Sequence, residues 1–116
     1  MTVEDIVEAL ALQVGAGAKC LSKQITGGYA SDLLSCVMAK AQAGNVWVTL
    51  QAHMNVVAVA ALLDLACVIV TEGMRPDADT LAKAEEKGIP ILLSPQSTFV
   101  VVGRLTRLGI GESGGC

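Results

Sequence analysis

The chain is poor in aromatic residues, with one Trp, one Tyr and one Phe among 116 residues, and poor in charge, with Asp, Glu, Lys and Arg at 16%. A formal net charge of −3 argues against a nucleic-acid binder, which needs a basic patch to displace counterions from phosphates. Histidine is scarcer still: His53 stands alone. A Ser or Cys nucleophile would need a base, and His53 has no evident nucleophile beside it in sequence. Cys20, Cys36, Cys67 and Cys116 show no CxxC spacing, which argues against a zinc or iron–sulfur site, and three of them lie in apolar segments where a thiol behaves as a small hydrophobe. There is no G-x-x-x-x-G-K-[ST] loop; GAGAKC, from Gly15, lacks its spacing, so phosphoryl transfer has no visible apparatus. Neither catalysis, a metal nor a cofactor is expected.

Long hydrophobic runs are also missing. Apolar residues make up 53% of the chain, yet Asp64, Glu72 and the Gln51 to Asn55 segment interrupt the longest stretch. None reaches the roughly 18 apolar residues of a membrane span. The N-terminal MTVEDIVEALAL carries acids and no basic segment, unlike a secretory signal, so a cytoplasmic protein away from membranes is expected. A chain this short should form one domain over residues 1–116.

What is present centres on Asn45 to Gly73. Val46 to Leu50 is a β-branched and aromatic run, Met54 to Ala66 is rich in Ala, Leu and Val, and Cys67 to Thr71 returns to strand character. Strands covered on both faces show continuous apolar runs, so the stretch reads as one strand–helix–strand unit of a parallel sheet. The helix has almost no polar face until Asp64, and a helix apolar all round should be buried all round. One side can pack on its own sheet. The other is expected to meet a second copy through Val56, Val59, Ala60, Leu62 and Leu63, making a homodimer.

Taken in order, Thr2 with Glu4 and Asp5 forms a loose capping box that opens a helix within residues 1–14, reaching about Gln13. Lys19 to Ile25 is a candidate first strand, Thr26 to Tyr29 a turn, and a helix follows to about Ala43. Asp77 is a plausible N-cap for a helix ending at Gly88, and Ile89 to Leu93 is the next buried strand. Between Gln96 and Leu108 the run Phe99 to Val102 favours a strand. The spacing of Phe99, Val102, Leu105 and Leu108, with the alternation of preceding units, favours a helix, which is the expectation adopted. Residues 109–116 should be a flexible tail. The fold class is therefore α/β: a mainly parallel sheet of consecutive βα units with helices on both faces.

In such sheets ligands bind beyond the C-terminal ends of the strands, where helix N-termini direct free N–H groups outward. That rule selects Gly27, Gly28, Gln51, His53, Asn55, Thr71, Glu72, Ser94, Gln96, Ser97 and Thr98, a set suited to an anion such as a phosphate or carboxylate. Each has a plainer reading: Gly27 and Gly28 as a turn, His53 as a cap or interface residue, Asn55 as the cap of the central helix, Ser94 to Thr98 as a helix start, and Glu72 as solvated loop.

The segments ITGGYASDLLSCVMA, VWVTLQAHMNVVAVAALLDLACVIVTEG and GIPILLSPQSTFVVVGRL resemble the DRTGG domain over roughly residues 20–108. This small α/β module is found alone and fused to other domains, as in some phosphotransacetylases and CBS-containing pyrophosphatases. Where many relatives carry Gly-Asp-Arg after the second strand this chain has Gln51, Ala52 and His53, and the literal DRTGG string is absent. The module also resembles the non-catalytic N-terminal domain of HPr kinase/phosphorylase, whose kinase chemistry belongs to a separate P-loop domain. The resemblance implies a dimer and no kinase activity. Some stand-alone members look like companions of iron-hydrogenase or NADH-oxidising proteins.

The reading adopted is a non-catalytic regulatory module that binds a small anionic metabolite or nucleotide as a homodimer. A ligand-free interaction subunit of a redox or metabolic complex is the alternative, and an enzyme built around His53 and Glu72 a weaker one.

Overall fold

The computed structural model describes residues 1–111; of the tail expected at 109–116, including Cys116, residues 112–116 lie outside the described residues. Five strands alternate with helices. They are β1 Gln13–Ala16, β2 Gly27–Ala30, β3 Asn45–Thr49, β4 Cys67–Val70 and β5 Ile91–Leu93. The sheet order is β1-β5-β4-β3-β2, with β2 to β5 parallel and β1 antiparallel on β5. The helices are α1 Val3–Leu10, α2 Leu34–Lys40, α3 Asn55–Leu62, α4 Ala78–Lys87 and α5 Thr98–Arg107. Among the described residues no helix is long and apolar enough to cross a membrane.

Successive side chains of a strand point to opposite faces, and here both faces are buried. Trp47, Val68, Val70, Ile91 and Leu93 face the layer of α2, α3 and α4. Val46, Val48, Cys67, Ile69 and Leu92 face α1 and α5. This explains why the strand runs are continuous rather than alternating. The largest buried side chain, Trp47, donates its indole N–H to the Ser31 carbonyl at 2.9 Å, so its polar atom is satisfied inside the core.

The helix ends follow local chemistry. Thr2 and Asp5 form the expected capping box, Asp77 accepts from the Thr80 N–H at 2.8 Å, and Gly88 ends α4 with a left-handed φ of 70°. Residues 98–107 are helical, capped by Ser97, which accepts from the Val100 N–H at 3.2 Å.

Several expectations are corrected. α1 stops at Leu10 rather than near Gln13, because Ala11 turns left-handed at φ 52° and drops Leu12 into the core. The first strand is Gln13–Ala16, not Lys19–Ile25. Gly17 then turns at φ 76° against Pro90, where a Cβ would lie 2.6 Å from backbone, so only glycine fits. Gly27 and Gly28 belong to β2 rather than a turn; two weak strand formers are held by pairing with β3. The central helix covers 55–62 rather than 54–66, ended by a turn in which Asp64 is left-handed at φ 55°. In α5 the inward residues are Val101 and Leu105, while Phe99 is 88% exposed. Ile110, at the start of the expected tail, is buried against the α1–α5 layer.

The central helix is not buried all round. Val56, Val59 and Ala60 lie inside the chain's own core and are inaccessible to a second copy, and Leu63 is half-buried against the same core. Leu62 is 69% exposed, and Met54, Ala58 and Ala61 are exposed with it.

Burial pushes the Cys67 thiol up to about 12 from an ordinary 9.0. The native state thus holds its proton where the unfolded chain has lost it, a contribution fully present below about pH 9 and lost as the pH rises toward 12. Replacing Cys67 by Ala should therefore flatten the fall of the denaturant midpoint across that window; an unchanged slope would show that the thiol is not sealed.

Candidate functional site

The parallel strands end along one rim, and a chain of hydrogen bonds knits it. Thr49 and Thr71, at the ends of β3 and β4, are wholly buried. A buried hydroxyl without a partner is costly. The Thr49 hydroxyl donates to Asp32 Oδ1 at 2.8 Å, and the Leu50 N–H donates to the same oxygen at 2.9 Å. Gln51 donates its N–H to the Thr49 hydroxyl at 3.1 Å and its side-chain amide to the Asp32 carbonyl at 3.1 Å. The Thr71 N–H and hydroxyl both donate to the Thr49 carbonyl, at 2.9 and 3.3 Å, and the Thr71 and Thr98 hydroxyls lie 2.6 Å apart.

The β4–α4 and β5–α5 loops are pinned to each other. Glu72 adopts φ 62° and donates its N–H to the Gln96 carbonyl at 2.8 Å, while its carboxylate accepts from the Thr98 N–H at 2.9 Å. A negative side chain thus sits on the positive end of α5. The Ser94 hydroxyl accepts from the Gln96 N–H at 3.2 Å, and Gln96 Oε1 accepts from Arg104 at 3.2 Å. At the start of α3, His53 Nδ1 accepts from the Asn55 N–H at 3.1 Å. His53, not Asn55, is the capping group there.

All the expected site residues except Gly27 and Gly28 come together on this rim. Those two begin β2, with Gly27 level with Asn45 at the opposite end of the sheet. Residues passed over in the sequence matter as much. Asp32 is the hub for Thr49 and Leu50, and nothing in a short loop before a helix marks it. Arg75 and Gln13 meet across the rim at 3.0 Å, because antiparallel β1 starts where β5 ends. Pairing of Gln13 with Leu93 could be foreseen only once β1 itself was.

Two open clefts flank the β4–α4 loop, with Met74 and Arg75 common to both. One, of about 410 Å³, is walled by Ala11, Gln13, Leu93, Ser94 and Pro95. The other, of about 610 Å³, is lined by Ala52, His53, Asp77, Asp79 and Thr80. The Thr80 backbone N–H holds the Asp77 carboxyl below its usual range, helped by the Thr80 hydroxyl and by His53. The second cleft therefore mixes both signs of charge, whereas Arg75 is the single charged residue in the first.

This architecture, a mostly parallel five-stranded sheet with its open clefts at the strand ends, defines a small α/β domain. The chain belongs to the DRTGG domain family, whose sequence model matches residues 4–108. No curated protein sequence matches it. The fold is similar to that in the crystal structure of the CBS and DRTGG domains of the regulatory region of Clostridium perfringens pyrophosphatase, complexed with its activator diadenosine tetraphosphate. That likeness has a TM-score of 0.68 at 14% identity and covers 90% of this chain but 45% of that one, so the chain spans less than half of that regulatory region.

Asp32 is exposed yet holds two donors, one of them from a wholly buried hydroxyl. Asp32→Ala should destabilise the protein by about 1.5 to 3 kcal/mol, the value of hydrogen bonds to a charged group, read as a lower denaturant midpoint. A loss within error would remove Asp32 as the hub of the rim.

Proposed function

We propose that the chain is a non-catalytic regulatory module, a single DRTGG domain that binds a small anionic metabolite or nucleotide at the strand ends and works as a homodimer in the cytoplasm. The observation that carries this reading is the rim itself. Its loops are cross-braced by Asp32, Thr49, Thr71 and Thr98, and the open clefts beside Arg75 and His53 lie on that rigid base. Preorganised polar groups around an open cleft are what a binding site needs. The activator bound by the regulatory region of the similar pyrophosphatase supports a regulatory role without naming a ligand for this chain.

The second copy has a surface to meet. Met54, Ala58, Ala61 and Leu62 make an exposed apolar stripe on α3, at a spacing that keeps them on one face, and small alanines let a partner helix approach closely. A second reading, docking of a protein partner in a redox or metabolic complex without a ligand, is favoured by Phe99. A phenylalanine 88% exposed at the start of α5, beside exposed Val100, is an unpartnered apolar anchor.

Two measurements test the proposal. Thermal-shift screening with phosphorylated metabolites, nucleotides, NADH and small carboxylates should give a reproducible rise for some ligand, reduced by His53→Ala; silence across the whole panel supports the docking reading. Leu62→Glu should convert a dimer to a monomer as weighed by light scattering, and a wild-type chain already monomeric at micromolar concentration removes the dimer.

A further inference from the structure

The sites at which an anion could settle on the rim are not equivalent. The N-terminus of α5 has already taken a carboxylate from within the chain, since Glu72 accepts the Thr98 N–H at 2.9 Å. An external anion there would have to expel it. In the cleft beside α3 and α4, the charge of Arg75 is countered by Asp77 and Asp79. The cleft on the β1 side carries Arg75 and no acid among its lining residues.

Arg75 is also held ready in that cleft. Its Nη2 donates to Gln13 Oε1 at 3.0 Å, and among the described residues this is its one hydrogen bond, with no ion pair. A guanidinium has five N–H donors in a fixed fork, so the rest are available to a planar two-oxygen acceptor. The remaining walls are Ala11, Met74, Leu93 and Pro95, with Gly73 and the single small hydroxyl of Ser94, and they offer no aromatic face for a base to stack on. One guanidinium neutralises one negative charge, and a chain with a net charge of −3 repels polyanions.

We propose that the cleft between β1 and the β4–α4 loop binds a singly charged carboxylate with a short aliphatic body, its two oxygens on Arg75 and its carbons against Leu93, Pro95 and Met74. This rests on the reading of the rim as the ligand-binding end and narrows it: the ligand is a small carboxylate and not a nucleotide polyphosphate. Gln13 is a positioning residue that orients the guanidinium, and Glu72 is the internal carboxylate that closes the competing helix terminus.

The test is a titration of the full chain, followed by amide and arginine side-chain NMR, with acetate, butyrate, hexanoate, inorganic phosphate, AMP and ATP. Butyrate and hexanoate should give saturable shifts at Gln13, Gly73, Arg75 and Ser94. Affinity should rise by up to about fourfold per added methylene. Arg75→Ala, at an exposed position, should weaken binding by at least about tenfold, since both charge-assisted hydrogen bonds to the carboxylate are lost. Gln13→Ala should weaken it less and broaden the Arg75 side-chain signal. Tighter binding of AMP, ATP or phosphate at the rim would overturn this inference and leave the regulatory reading intact. Carboxylate binding unchanged in Arg75→Ala would overturn the placement, and no shift at the rim with any of the six would overturn both.

Discussion

Thr49 and Thr71 set the terms for the rim. Thr49 ends β3 and Thr71 follows the all-apolar β4, and each buries its hydroxyl completely. The hydroxyls are answered by Asp32 on one side and by the Thr49 carbonyl and Thr98 on the other. The result is a line of bonds running across the sheet from the loop after β2 to the start of α5. In an interior of low dielectric such a line is stiff only when every member has a partner. Among the described residues no buried side-chain polar atom lacks one. Loops that would otherwise wander are fixed to one another, so cleft walls are held by the same bonds that solve a burial problem.

Burial on two faces made the centre of this protein readable. Runs such as Val46 to Leu50 and Cys67 to Thr71 announce strands covered above and below, and Asp77, Ser97 and Gly88 announce helix ends by local chemistry that needs no tertiary context. The edges were opaque for the opposite reason. β2 is Gly-Gly-Tyr-Ala, and its extended form comes from its neighbour β3 rather than from its own residues. β1 hides behind a helix-like stretch whose end depends on a left-handed alanine, a conformation no composition predicts. Phe99 shows the limit of periodicity. Helical spacing placed it on the inward stripe, but the inward direction was set by Val101 and Leu105.

The same division holds for the candidate site. The rule that ligands approach strand ends selected loops that do meet on one rim, and most residues chosen from them lie there. What the rule cannot say is which polar groups are spent within the protein. Glu72, Ser94, Ser97 and Thr98 are largely consumed in bracing or capping. His53 does a cap's work through one ring nitrogen. The groups left facing solvent, Arg75 foremost, come from positions that looked like ordinary loop, and their importance depends on contacts about sixty residues apart in the chain, such as Gln13 with Arg75.

Because β1 runs against its neighbour, the segment leaving α1 reaches the rim at Gln13 before it turns back down the sheet. α1 lies across the underside of the sheet, packed through Val3, Ile6 and Leu10. The seat of that helix therefore fixes, through Ala11 and Leu12, where the Gln13 amide meets the Arg75 guanidinium. A helix with no residue lining the cleft thus sets where one of its walls stands.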